Sequence, residues 1–87
     1  VLLRRGDRLR VTLSHRRGSF DLYLWGPGTR TVTTSRANLR RNLIAFRGGL
    51  GPRPKAIVHR AERSGRHYVN VFARRGAGEY RLAIRRG

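Results

Sequence analysis

Hydrophobic and polar residues alternate along four segments of this chain, residues 8–14, 20–25, 68–72 and 80–85. In the second segment Phe20, Leu22 and Leu24 share one face, and a Gly-Pro-Gly turn follows directly. A period of two residues is that of a β-strand with one buried face. Turns that contain glycine between such strands are typical of antiparallel sheets. The pattern therefore predicts an all-β, antiparallel domain.

The other segments have weaker patterns. The β-branched run 29–34 predicts a strand, which we expect at a sheet edge. Ser35 is placed to cap a short helix that would end near Asn42. The apolar residues 43–46 suit either a buried strand or an extended loop edge, and residues 47–54, with three glycines and two prolines, predict a loop. Residues 1–5 suit either a short first strand or the end of a linker, and a short strand is expected at residues 56–59.

Four motifs follow one another along the chain. They are Gly6-Asp7-Arg8-Leu9-Arg10-Val11-Thr12-Leu13, Phe20-Asp21-Leu22-Tyr23-Leu24-Trp25-Gly26-Pro27-Gly28, Gly65-Arg66-His67-Tyr68-Val69-Asn70-Val71 and Gly76-Ala77-Gly78-Glu79-Tyr80-Arg81-Leu82-Ala83-Ile84. In this order they resemble the pattern of the bacterial pre-peptidase C-terminal domain: Gly-Asp-x-Leu-x-Val-x-Leu, Asp-Leu-x-Leu-x-x-Pro, Gly-x-Tyr-x-Val-x-Val and Gly-x-Tyr-x-Leu. His67 departs from the pattern, because it stands where the third motif usually has tyrosine.

The resemblance covers nearly the whole chain and implies a small antiparallel β-sandwich of jelly-roll type, related in fold to bacterial collagen-binding modules. It also implies a non-catalytic accessory domain of a secreted hydrolase, most often a subtilisin-like serine peptidase. Such a domain would assist secretion, folding or targeting of its parent, outside the cell. Since Val1 begins inside an apolar run, we expect residues 1–87 to be one domain taken from a longer polypeptide.

The length and charge narrow the possible functions. With 87 residues the chain has room for one domain with a thin core. It lacks cysteine, which excludes disulfides and thiolate metal sites, and no apolar run is long enough to predict a membrane span. The 21 Lys and Arg residues against four acidic residues give a net charge of +17. So high a charge favours a soluble monomer that binds polyanions nonspecifically at low salt.

The chemistry of a catalytic site is not evident in the sequence. A Gly-x-Ser-x-Gly motif is missing, and Ser14 and His15 are merely neighbours in the chain. We therefore expect the isolated domain not to be an enzyme.

No cofactor is predicted either. His15, His59 and His67 lie on separate segments without the spacing of zinc ligands. Some relatives of the resembled family bind calcium through acidic residues, but Ser19 and the segment 1–5 offer none here. The carboxylates of Asp7 and Asp21 are expected in a turn and in a salt bridge beside arginines.

Two groups of side chains are candidates for a binding surface. The first is aromatic and lies on the faces opposite the predicted core, where it could stack on a ligand or instead complete the packing: Tyr23, Trp25, Tyr68 and Phe72. The second consists of arginines that alternate outward on two strands, as a solvated face or as a docking surface: Arg8, Arg10, Arg81 and Arg85. Two partners fit such a surface, an acidic parent catalytic domain or an extracellular anionic polymer. A basic binding module unconnected to proteolysis, and a structural spacer, remain alternatives.

Overall fold

The computed structural model describes residues 1–51, 53–76 and 78–87. Pro52, in the predicted loop, and Ala77, in the fourth motif, lie outside the described residues. Along the described chain lie one helix, α1 (Arg36–Asn42), and the strands β1 (Leu2–Leu3), β2 (Arg8–His15), β3 (Ser19–Trp25), β4 (Leu43–Arg47), β5 (Lys55–Arg60), β6 (Gly65–Arg66), β7 (Tyr68–Arg75) and β8 (Tyr80–Arg86).

Two three-stranded antiparallel sheets pack face to face. The arginine sheet has the strand order β5-β2-β8, the aromatic sheet has the order β4-β3-β7, and β1 pairs with β6 beside them. The names of the two sheets refer to the side chains on their outer faces. The chain passes from one sheet to the other between β2 and β3, β4 and β5, β5 and β7, and β7 and β8, as strands do in a jelly roll. The predicted all-β antiparallel sandwich is confirmed.

The core lies between the sheets and is formed by the alternating apolar residues of the two central strands. Leu9, Val11 and Leu13 of β2 are buried. From the opposite sheet, Leu22 and Leu24 of β3 complete this layer, with no exposed side-chain surface. Because side chains alternate between the faces of a strand, the same register points the polar residues of β2 outward.

The turn between the two central strands depends on Gly18. Its φ angle is +75°, in the left-handed region where side chains are unfavourable. A Cβ atom at this position would also lie 2.7 Å from the carbonyl oxygen of Arg75 at the end of β7. Glycine therefore lets the β2–β3 turn approach the neighbouring strand end closely.

The prediction of a strand at 29–34 is wrong, because the described backbone there is irregular. The side-chain amide of Asn38 donates to the carbonyl oxygens of Thr31 at 2.8 Å and Thr33 at 2.7 Å. These carbonyls therefore accept hydrogen bonds from a helix side chain and not from a neighbouring strand. The high β propensity of the threonines does not place them in a sheet. The short helix is confirmed: the Ser35 hydroxyl caps it by accepting from the amide of Asn38 at 3.3 Å.

Asn38 should therefore stabilise the 29–35 segment. We expect Asn38→Ala to be less stable than the matched variant Asn42→Ala by about 1 kcal/mol, because Asn38 donates two hydrogen bonds to that segment and Asn42 donates one, to Asn38. Both substitutions replace asparagine with alanine in the same short helix, so the difference between them reports the bonds more than the residue type. Urea unfolding of the two variants measures it, and equal midpoints would contradict this role.

Candidate functional site

The outer face of the arginine sheet carries five exposed arginines. Two belong to the central strand, one to β5 and two to β8: Arg8, Arg10, Arg60, Arg81 and Arg85. Their strand register places Arg8 directly opposite Arg60, and Arg10 directly opposite Arg85. Residues directly opposite one another share a face of the sheet. The four predicted arginines therefore do lie on one surface.

Sequence reasoning missed Arg60, because the predicted strand 56–59 ended one residue too early. The signal was present: Arg60 stands two positions after the exposed Val58, which is the period of a strand. None of the residues of β2, β5 and β8 is acidic. Every charged side chain that these strands place on the face is therefore positive.

The predicted aromatic residues lie on the outer face of the other sheet. Trp25 stands opposite Tyr68, and Asp21 opposite Phe72, across the β3–β7 pairing. Phe46 of β4 stands opposite Tyr23 and packs on its ring, with centroids 4.8 Å apart. The aromatic and arginine candidates therefore occupy opposite sides of the sandwich and do not form one surface. The sequence left Phe46 out of the set because the structure of its segment was ambiguous.

Trp25 does not belong to the accessible part of the aromatic face. Its side chain is fully buried and its indole nitrogen donates to the amide oxygen of Asn70 at 2.7 Å. The ring also stacks on Tyr23, with centroids 5.9 Å apart. Packing therefore accounts for Trp25, as the alternative interpretation held. Phe72, by contrast, is 55 % exposed, and Tyr68 is also exposed.

A buried carboxylate anchors one end of the aromatic face. Asp21 is 2 % exposed, and its Oδ2 atom accepts from the Nε atom of Arg74 at 3.0 Å. The expectation that Asp21 forms a salt bridge is confirmed, as is the turn role of Asp7, whose carboxylate accepts from the amide of Arg4. Burial raises the pKa of the neighbouring Tyr23, the Asp21 carboxylate raises it further, and Arg74 opposes both.

Two histidines meet at one end of the sandwich. His67 is buried, and its ring centroid lies 6.1 Å from that of His59 on β5. Glu62 and Arg63 line the opening beside them. Burial lowers the pKa of His59, the nearby His67 lowers it further, and Glu62 has the opposite effect. Among the described residues, no group of three or more His, Cys, Asp or Glu side chains is arranged to hold a metal ion.

The Ser14–His15 pair has no catalytic geometry. Adjacent residues of a strand point to opposite faces, so Ser14 is exposed on the arginine face while His15 is buried. The His15 ring packs edge-on against Phe20 at 4.7 Å. The two side chains therefore cannot act as a nucleophile and its base.

The chain matches no protein-family model, no curated protein and no solved structure. Within the described ranges, no helix has the length and apolar character needed to cross a membrane.

Loss of the Arg74 side chain should destabilise the fold more than loss of the Arg75 side chain. Arg74→Ala would leave the Asp21 carboxylate buried without its cationic partner, at a cost of about 1–2 kcal/mol, reduced from that of a fully buried pair because Arg74 is 44 % exposed. Arg75→Ala removes the same charge from the same strand and is the matched control. Denaturant unfolding measures both. A loss in the control as large as that in Arg74→Ala would show that the ion pair contributes nothing of its own.

His59 should make the fold sensitive to mild acid. The pKa of His59 is lower in the folded state than its ordinary value of about 6.5, so the unfolded state binds more protons as the pH falls. The stability that neutral His59 provides is complete above pH 6.5 and is lost as the pH falls through the lowered pKa. We expect His59→Gln to reduce the decrease in Tm between about pH 7.5 and pH 5.5. If Tm falls by the same amount in His59→Gln and in the parent over this pH range, His59 is not the source of the acid sensitivity.

Proposed function

We propose that this domain is a non-catalytic binding module that attaches to anionic polymers or surfaces through its arginine face. The observation that supports the proposal is the set of five exposed arginines on one sheet face whose strands contain no acidic residue. A net charge of +17 by itself would favour nonspecific attraction from any direction. The register of the sheet adds a preferred side for that attraction.

The spacing of these side chains suits an extended anion. Neighbouring strands lie about 4.8 Å apart, and alternate residues along one strand about 6.8 Å apart, so Arg8, Arg10, Arg60 and Arg85 start from a regular grid. Each guanidinium group offers a planar fork of donors that fits phosphate, sulfate or carboxylate oxygens. The long side chains can adjust to the exact positions of those oxygens.

The same register carries a cost for the free domain. Arg8 faces Arg60 and Arg10 faces Arg85 across strands, and like charges placed directly opposite destabilise a sheet. If stability alone determined these positions, we would expect residues of opposite charge to face each other across the strands. Neutralisation by a bound polyanion would remove the repulsion, which is why we regard the face as a binding surface and not as a solvated one.

The parent protein is proposed on the resemblance alone. The four motifs that resemble the pre-peptidase C-terminal domain support an accessory role beside a secreted bacterial hydrolase, most plainly a subtilisin-like serine peptidase. In that setting the arginine face would hold the enzyme at an anionic substrate or cell-surface polymer, or dock on an acidic catalytic domain. An Asp, His, Ser peptidase domain in the same polypeptide would support this proposal.

A binding module unconnected to proteolysis is the alternative, and the same arginine face supports it. The two proposals give the domain the same binding surface. They differ in which protein the domain would hold at the anionic polymer. A polypeptide that carries a domain other than a hydrolase beside this one would favour the alternative.

The arginine face should dominate polyanion binding. We expect the triple variant Arg8→Gln, Arg10→Gln, Arg60→Gln to reduce the steepness of log K against log salt for duplex DNA by about 2.7, because each of the three phosphates that these arginines neutralise contributes about 0.9. The matched control replaces Arg36, Arg40 and Arg41 of α1 with glutamine, which removes the same charge from an exposed helix.

Heparin is the second probe, because it presents sulfates and carboxylates in place of phosphates. Circular dichroism and Tm establish that both triple variants fold. Equal slopes for the two variants would mean that the net charge acts without a preferred face. Affinity that persists near 0.5 M salt would instead indicate recognition of a particular ligand and would contradict a mainly electrostatic surface.

A further inference from the structure

One edge of the arginine sheet lies open. β8 pairs with β2 on one side, and on its other side the described part of the chain supplies no strand. An edge strand presents a row of free backbone N–H and C=O groups that can pair with an additional strand. The structure therefore offers a template for strand addition along residues 80–86.

The apolar side chains show that this edge is incompletely covered. Ile57 of β5 and Ile84 of β8 both stand opposite Val11, one on each side, and share its inward face. Ile57 is 1 % exposed, whereas Ile84 is 44 % exposed. On the β5 side the edge of the other sheet, β4, closes over the core. On the β8 side, the inward-facing Tyr80 is likewise 49 % exposed.

The charges decide which occupant fits. β8 carries Arg81, Arg85 and Arg86, and neither β8 nor β7, the strand that precedes it in the chain, contains an acidic residue. A second copy of β8 would place arginines against arginines, and outward cations on an edge are a known barrier to such self-pairing. An incoming strand with carboxylates at alternate positions would meet these arginines with opposite charge.

We propose that the free edge of β8 binds an extended segment of a partner protein in which acidic and apolar residues alternate. Its backbone would add a fourth strand to the arginine sheet. Its apolar side chains would cover Ile84, Leu82 and Tyr80, and its carboxylates would lie on the outer face beside Arg81 and Arg85. This interaction shares Arg81 and Arg85 with the arginine face, but it differs from polymer binding because it recognises both the backbone and the period-two pattern of the partner.

The test uses a synthetic peptide of seven residues, valine at odd and glutamate at even positions, blocked at both ends. Binding is followed by amide hydrogen exchange of the wild-type domain. We expect slower exchange for those β8 amides that do not bond to β2, and no change along the β4, β5 or β7 edges. A glutamate-only peptide with the same number of carboxylates should not protect β8. Equal protection by that peptide, or protection at another edge, would overturn the proposal.

A side-chain substitution provides a second criterion. Ile84→Thr keeps a β-branched residue but removes apolar surface, and should weaken binding of the valine–glutamate peptide by about five- to tenfold. The matched control is Val58→Thr, on the outer face of the β5 edge, where the side chain is 66 % exposed. Equal losses in the two variants would contradict the site. Tm values establish that both variants fold. The hydrogen-exchange test uses the wild-type domain, so its result does not depend on the folding of either variant.

The outcome is separable from that of polyanion binding. The variant that replaces Arg8, Arg10 and Arg60 with glutamine keeps the whole of β8, so it should lose DNA affinity and still show the β8 exchange pattern with the valine–glutamate peptide. Loss of that pattern in this variant would mean that the peptide binds to the arginine face and not to the edge. Failure of every peptide to bind in about 0.05 M salt, with DNA binding intact, would overturn strand addition alone.

Discussion

The period-two register of β2 and β3 is the constraint on which both outer faces depend. Each strand is the centre of its sheet, and the turn at Gly18 joins them. A slip of one residue would turn Arg8 and Arg10 into the core and Val11 into solvent. Burial of the leucines on the inner faces therefore fixes, at the same time, where the arginines lie on one side and the aromatic rings on the other. The candidate binding surfaces are consequences of the core.

The sequence predicted most of the strands because their signal is local. Alternation over five to seven residues needs no knowledge of the partner strand, and the glycine turns mark the ends. It failed at 29–34 because the deciding contacts, from the Asn38 amide to two carbonyl oxygens, come from a helix that follows later in the chain. β propensity describes how a residue fits an existing sheet, and within the described residues no strand pairs with these threonines.

The arrangement of the binding residues was harder to predict, for a related reason. Alternation identifies which residues point away from the core but not which sheet each strand joins. Arg8 and Tyr23 were both predicted to face outward, and both do, but on opposite sides of a sandwich. Strand pairing is a long-range property, and a single sequence gives little information about it. The same limit left the arginine partner of Asp21 unidentified: the sequence predicted a salt bridge, and only the β3–β7 pairing shows that the partner is Arg74.

Charge connects the stability of this domain to its proposed binding. The Cα atoms span 15 Å along the shortest axis, and the screening length at physiological salt is about 8 Å, so charges on one face repel one another far more than they repel the opposite face. Added salt should weaken the repulsion between Arg8 and Arg60 and so stabilise the free fold, while it weakens attachment to a polyanion. A ligand that binds only the folded state raises its stability by mass action. At low salt, therefore, the polyanion would supply the neutralisation that the fold lacks, and the domain would be most stable where it is bound.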